Sequence, residues 1–434
     1  MSWDFSTEPE LEAKLSWMRE FVRNEILPLE VADLTVDAYD RVTAELKQEV
    51  KDRGLWAAHL PTELGGGGAG QLQLALMHEI LGMCLHAPPI FGNSAPDSGN
   101  AELLSQGGTD EQKRRWMDPL LAGELRSCFS MTEPGTASSD PTLLTTTAVR
   151  RGDEYVINGH KWFSSNASCA DFFIVMAVTD PEAPPHRRAS MIIVPKGTPG
   201  LEVVRDIPNM GGPMGSPSGV VVPHYSGPGE VIYRDVTVPA DHIIGSEGDG
   251  FLLAQKRLGP GRIQHAMRWL GQARRAFDMM NERAVSRVAQ GSALADKQLV
   301  QQMVAESAAE LEAARLLTLQ TAWKMDRYGV KGALVDISLI KFWGARVLYN
   351  TIDRALQVHG SLGFSADMPL ERMYRDARAA RIADGPDEIH KVTAARRILK
   401  SYAPVDVPTE HIPTRSDAAR KKFAHLLDSV ALNR

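Results

Sequence analysis

The residues best suited to moving a proton lie together in ARIADGPDEIH, residues 380–390, where Asp384, Asp387 and Glu388 stand close along the chain. A carboxylate held in a water-poor turn is a general base, whereas the same group on a solvated acidic face is only a surface charge. Residue type alone leaves all three open. Other chemistries find no anchor. GGGGAG at 65–70 has the spacing of G-x-G-x-x-G, but a dinucleotide fold needs a strand before it and a helix opening after it. Neither is expected there, so the segment reads as a flexible loop. No G-x-S-x-G elbow and no Walker lysine motif occur. The 12 histidines include no H-x-x-x-H pair, so no metal is expected. Cys84, Cys128 and Cys169 are too few and too scattered for a disulfide framework, which suits a reducing compartment.

Three textures must position such groups, an α+β organisation. Residues 1–125 carry apolar positions at three and four spacing, the pattern of a helical domain. From 126 to 245 come short β-rich runs, EYVINGHKWF, DFFIVMAV, SMIIVP, GVVVPHY and EVIYRDVTVP, broken by Gly, Pro and Asp turns. They predict an antiparallel β domain, with a hairpin at Asn158-Gly159. Helical spacing returns over 246–405, where Val300, Val304, Ala308 and Leu311 form one stripe and Gly329 is a helix stop. Residues 406–434 read as an appendage with a short basic helix.

The 434 residues allow two to four domains, and 43% hydrophobic with 24% charged residues is ordinary globular usage. A net charge of −6 without a basic run gives no footprint for nucleic acid or an anionic membrane. The acidic N-terminus and the lack of any membrane-length apolar window lead us to expect a cytoplasmic protein.

Four segments occur in fixed order: CFSMTEPGTASSDP from Cys128, INGHKWFSSNAS from Ile157, RLGPGRIQHAMR from Arg257, and QVHGSLGFSADMPLERMYRDARAARIADGPDEIHK from Gln357. Together they resemble the acyl-CoA dehydrogenase family over residues 8–403, and they are most similar to the subgroup that contains mammalian members ten and eleven. The resemblance implies an N-terminal helical domain, a middle β-barrel or sandwich and a C-terminal four-helix bundle. It also implies FAD as cofactor, an acyl-CoA substrate, an electron-transfer flavoprotein as electron acceptor and a homodimer or homotetramer.

The TEPGTASSD loop presents backbone and hydroxyl donors that suit a flavin edge and pyrophosphate oxygens. By resemblance Phe129, Met131 and Thr132 line the flavin ring, while Ser138 or Ser139 touches flavin phosphate or substrate. The loop is one residue longer than the common form, which leaves the two serines open. Phe163 aligns with the flavin-stacking aromatic, beside Ser164 and Ser165, and Trp162 competes because a one-residue slip exchanges the faces of a strand. Arg287 and Gln298, from ERAVSRVAQGSALADKQ, match positions that reach the flavin of a neighbouring subunit, although Gln290 replaces the family's Phe. Gln357, Gly360, Ser361 and Gly363 give a second cofactor contact, in which glycine permits close approach of the backbone.

Asp384 takes the place where most members carry a catalytic glutamate, with Gly385 beside the thioester and Pro386 and Glu388 toward flavin. Arg262 matches an arginine near the substrate. The implied reaction is α,β-dehydrogenation of an acyl-CoA to the trans-2-enoyl-CoA, a step of fatty-acid β-oxidation. A base takes the α-proton, hydride leaves for flavin, and hydrogen bonds to the thioester carbonyl stabilise the developing enolate. Gly261 stands where some members carry an alternative glutamate base, and Gly259 and Gly261 would leave room for a long or substituted chain. The rival readings are a flavin oxidase of acyl-CoA or nitroalkane type, and a catalytically silent acyl-CoA-binding scaffold.

Overall fold

Apolar residues at helical spacing become helices at both ends of the chain, and the β-branched runs between them become one sheet. The computed structural model describes residues 7–210, 227–404 and 420–431. The strand expected over GVVVPHY lies outside them, as does most of the segment after 404.

The first part contains α1 (Pro9–Phe21), α2 (Val36–Asp52), α3 (Gln71–Leu81) and α4 (Asp97–Gly107). Thr35 caps α2 by accepting the Ala38 amide proton. Contrary to expectation, α3 opens directly after GGGGAG, and that loop is packed: a Cβ on Gly66 would lie 2.3 Å from the Leu60 carbonyl oxygen. The helix start is nevertheless closed to a phosphate. The Asp326 carboxylate accepts the Gln71 and Leu72 amide protons at 2.7 and 2.9 Å, satisfying the donors that an anion would use.

Eight strands follow: β1 (Ser127–Ser130), β2 (Thr147–Arg151), β3 (Glu154–Ser165), β4 (Phe172–Val178), β5 (Ala189–Pro195), β6 (Leu201–Asp206), β7 (Pro228–Pro239) and β8 (Ile243–Ile244). Their order is β6-β7-β3-β2-β4-β5-β8, with β1 beside β4. The sheet is mixed rather than purely antiparallel, because β4 pairs in parallel with β1 and β2. Asn158-Gly159 makes no hairpin. There β3 runs on through an irregularity in its pairing with β7, where Asn158 Nδ2 donates to Asp235 Oδ1 and the Asp235 amide donates back to Asn158 Oδ1. Bulges and hairpin turns both favour Asn and Gly, so the dipeptide fitted either. Strand β4 is buried on both faces: Phe172, Ile174 and Met176 pack toward the helices, while Phe173, Val175 and Ala177 face the interior of the β domain.

The last part is a bundle of α5 (Gly250–Ser286), α6 (Gln298–Gly332), α7 (Leu334–His359) and α9 (Asp387–Leu399), with α8 (Leu370–Ala379) against α7. The buried stripe of α6 is Ser307, Leu311, Ala314 and Thr318, and Ala308 is exposed. Two successive steps of four, from Val300 to Ala308, drift around a helix of 3.6 residues per turn and carry Ala308 off the core face, and the step of three to Leu311 returns to it. Gly329 interrupts α6 at φ +67°, as expected. Pro260 lies inside α5. Helices α3 and α5 touch backbone to backbone: a Cβ on Gly82 would lie 2.1 Å from the Arg268 carbonyl oxygen, and one on Gly271 1.9 Å from that of Glu79. A further helix spans Ala424–Ala431. Among the described residues, no helix is long and apolar enough to cross a membrane.

Candidate active site

Asp384 sits in the turn between α8 and α9 with φ +55°, followed by Gly385 at +98°. The left-handed region is costly for most residues, and aspartate is among the few side chains that enter it readily. The turn is clamped from behind. The Asp384 carbonyl accepts hydrogen bonds from Arg262 Nε and Nη2 at 3.3 and 3.1 Å and from His390 Nε2 at 3.1 Å. Arg262 therefore holds the backbone of this turn. The carboxylate points elsewhere, with Oδ2 3.4 Å from His265 Nε2, and its side chain keeps 29% exposure. Burial pushes the Asp384 pKa up, but His265, Arg262, Arg257 and Lys341 together hold it below the usual carboxylate range.

The neighbouring acids are placed differently. Asp387 is buried at the start of α9, where its Oδ2 accepts from Arg381 Nε at 3.0 Å and its Oδ1 lies 3.6 Å from the buried Lys341 Nζ. Glu388 is exposed. A cavity of about 790 Å³ opens beside His265, between α3, α5 and α8, with Met83, Trp269, Leu348 and Met373 among its walls. Gly259 packs toward Val330 on α6 and is not a wall of this cavity.

The second cluster is built on β1 and β3. Lys161 Nζ, fully buried, donates to the Met131 carbonyl at 2.7 Å and to Glu133 Oε1 at 2.9 Å. Glu133 also accepts from the Thr145 and Thr146 amides, and the Trp162 amide donates to the Thr132 carbonyl. These bonds pin the TEPGTASSD loop to the sheet. Phe163, at φ +50°, leaves 48% of its surface exposed, and Ser165 is exposed with it, whereas Trp162 is partly buried edge-on to Phe163. The Ser164 hydroxyl is a correction to the sequence reading. It is buried 3.0 Å from Ser130 Oγ, which also accepts from Tyr233, and is closed to any ligand. Ser138 and Ser139 are both exposed, and the structure does not choose between them.

Arg257 links the clusters: its guanidinium lies 4.2 Å from the Phe129 ring centre, and its charge acts on Asp384. Arg287, Gln298, Gln357 and Ser361 are instead exposed on the bundle, and among the described residues no hydrogen bond joins them to Asp384. Gly360, at φ +64° and ψ −138°, adopts a conformation open to glycine, and a Cβ added there would meet no atom within 4 Å. Gly363 packs back on His359 and Leu356 of α7. Pro386 precedes α9. Sequence reading missed Arg257, His265, Lys341 and His390, because a lone His or Arg on a helix is ordinarily structural. The i, i+3 pair His265 and Arg268, next to the RLGPGR motif, was the available signal.

An aromatic face open to solvent, with exposed hydroxyls on the adjoining loop and strand, fits a planar cofactor bearing phosphates. Three family models match in order: the acyl-CoA dehydrogenase N-terminal domain over residues 8–124, the middle domain over 128–222 and the C-terminal domain over 248–399.

The chain belongs to the acyl-CoA dehydrogenase family.

It is 41% identical over 403 residues to acyl-CoA dehydrogenase family member 10 of Mus musculus, covering 90% of this chain and 37% of that protein. It is 45% identical over 361 residues to the acyl-CoA dehydrogenase candidate FadE2 of Mycobacterium tuberculosis, covering 82% and 86%. Among solved structures, a candidate acyl-CoA dehydrogenase of Mycobacterium abscessus superposes with a TM-score of 0.85 at 39% identity, covering 92% of this chain and all of that one. The chain thus spans little more than a third of the mouse relative's length. Among the described residues, no group of three or more His, Cys, Asp or Glu side chains could hold a metal ion.

Proposed function

We propose that this chain dehydrogenates the α,β bond of an acyl-CoA thioester, giving the trans-2-enoyl-CoA, with Asp384 as the base. The observation that carries the reading is the Asp384 carboxylate: reachable, depressed in pKa, and held on a turn whose backbone is fixed by Arg262 and His390. The cavity beside His265 suits the acyl chain, and the Phe129, Thr132 and Phe163 cluster with Ser165 suits the flavin. Bound FAD supplies the hydride acceptor. Asp384 takes the α-proton, and the cations around it keep it ionised until the substrate arrives. A closing substrate removes water and raises the carboxylate's basicity. The electrons then pass to an electron-transfer flavoprotein, and oxygen consumption with turnover would indicate an oxidase instead.

The purified protein is expected to be yellow and to bleach anaerobically when titrated with acyl-CoAs of graded chain length. A colourless protein that takes up no added FAD contradicts the proposal, and a yellow protein that no acyl-CoA bleaches favours the silent scaffold. We further propose a homodimer or homotetramer in which Arg287, Gln298, Gln357, Gly360 and Ser361 complete a neighbour's FAD site, since all five are exposed. Arg287→Ala is expected to weaken FAD retention on dilution. A monomeric parent protein with unchanged FAD affinity in the variant would rule this out.

A further inference from the structure

Asp384 lies at the end of a part-buried chain of nitrogen groups that crosses from the N-terminal helices into the bundle. Arg268 Nη1 donates to the Asn93 carbonyl at 3.0 Å and lies 3.3 Å from His78 Nδ1, while His59 Nδ1 lies 2.9 Å from Asn93 Oδ1. Arg268 Nη2 is 3.0 Å from His265 Nδ1 and 3.4 Å from its Nε2. His265 Nε2 in turn is 3.4 Å from Asp384 Oδ2.

Guanidinium can only donate, so the shorter of its two contacts with the ring favours a lone pair on His265 Nδ1 over one on Nε2. The single proton of the neutral ring is then on Nε2, the atom that faces Asp384. We propose that His265 is the positioning residue of the base: Arg268 fixes its tautomer, and its Nε2–H holds Oδ2 so that Oδ1 is left to take the α-proton. This rests on Asp384 being the base. An aspartate on a left-handed backbone is short and leaves its carboxylate free to rotate, and among the described Lys, Arg and His side chains His265 is the one within 4.0 Å of it. A contact of 3.4 Å is longer than a well-formed hydrogen bond, and such contacts tighten when substrate closes a site.

The groups facing His265 are Arg257 and Arg268 from α5, Lys341 from α7 and Asp384 from the α8–α9 turn. Three are cations, and burial acts in the same direction as they do. The imidazole is thereby kept neutral, its pKa pushed down to about 4. A neutral N–H donor favours the ionised form of Asp384, so losing it should move the base's titration upward.

The test uses flavin-loaded protein and measures limiting flavin reduction at saturating butanoyl-, octanoyl- or hexadecanoyl-CoA across pH. His265→Leu is expected to slow reduction roughly tenfold or more and to raise the acid limb by about one pH unit, with half-saturation little changed. His265→Gln keeps an N–H donor and should recover most of the rate. In 15N-histidine-labelled protein, the resonance missing from His265→Gln should report a neutral Nε2–H ring between pH 5 and 8. A wild-type rate with an unmoved acid limb in His265→Leu, or an Nδ1–H ring, overturns the proposal. Should His265→Leu fail to retain flavin, Arg268→Gln decides by the same readouts: it frees the tautomer, and an unchanged limb and ring state count against us. Failure of the base assignment shows separately, as undiminished reduction in Asp384→Asn.

Discussion

Asp384→Asn is expected to retain fold, flavin and acyl-CoA binding while flavin reduction falls by at least roughly 10²- to 10⁴-fold, the usual cost of removing a general base. Asparagine shares aspartate's tolerance of the left-handed backbone at this turn, and the clamp from Arg262 and His390 acts on a carbonyl that the change does not touch. What the amide lacks is the ability to accept the α-proton. The pH dependence follows from the same surroundings. A base whose pKa is held low is ionised through the neutral range, so wild-type reduction should decline only toward acid pH. Glu388→Gln is the control for the acidic cluster: it should retain measurable reduction even where it loosens FAD, toward which Glu388 is placed. Asp387→Asn is not such a control, because it leaves Lys341 buried without its counter-charge and should cost stability. Stopped-flow bleaching of the oxidised flavin band is the measurement, and near-normal reduction in Asp384→Asn alongside a dead Glu388→Gln would mean that the base is misassigned.

Lys161→Met is expected to destabilise the protein by about 3–5 kcal/mol, the range typical when one member of a buried pair is removed. It would strand the Glu133 carboxylate inside the β domain and release the Met131 carbonyl. Burial pushes the Glu133 pKa up, but Lys161 and the threonine donors outweigh it and bring it down to about 2. A depressed carboxylate stabilises the fold above its unfolded value near 4.5, and that contribution disappears as the pH falls toward 2. Lys161→Met combined with Glu133→Gln should recover part of the loss, since neither charge is then left alone. Urea unfolding of the four forms completes the cycle. Because the pair anchors the TEPGTASSD loop, the single variants should also release flavin more readily than the double. Equal stability in all four would show that the pair contributes nothing.

Legibility differed by kind of signal. The helix, sheet, helix order followed from periodicity, and Gly329 stopped its helix as read. Turn composition misled where two structures share it: Asn158-Gly159 serves a strand irregularity and not a hairpin. The Asp384 turn was visible as ADGPDE, but its backbone conformation and the separate fates of Asp387 and Glu388 needed tertiary contacts. The resemblance named Phe163 together with Ser164 and Ser165, and the alternation of a strand should have set the Ser164 hydroxyl on the face opposite its exposed neighbours. His265 and Lys161 were hidden because burial of a polar side chain depends on partners far away in the chain.

The glycine contact between α3 and α5 bears on how this protein could be re-tooled. Gly82 and Gly271 let two main chains meet with no side chain between them, so the wall of the cavity has no cushion to compress and no hinge to open. Its capacity is then set by the residues that project into it, Trp269, Met83 and Met373 among them, as the teeth of a fixed jaw set its bite. If the cavity takes the acyl chain as proposed, trimming those teeth is the route to a different acyl range, whereas a methyl group on either glycine would prise the jaw apart and take the Arg268 end of the histidine chain with it.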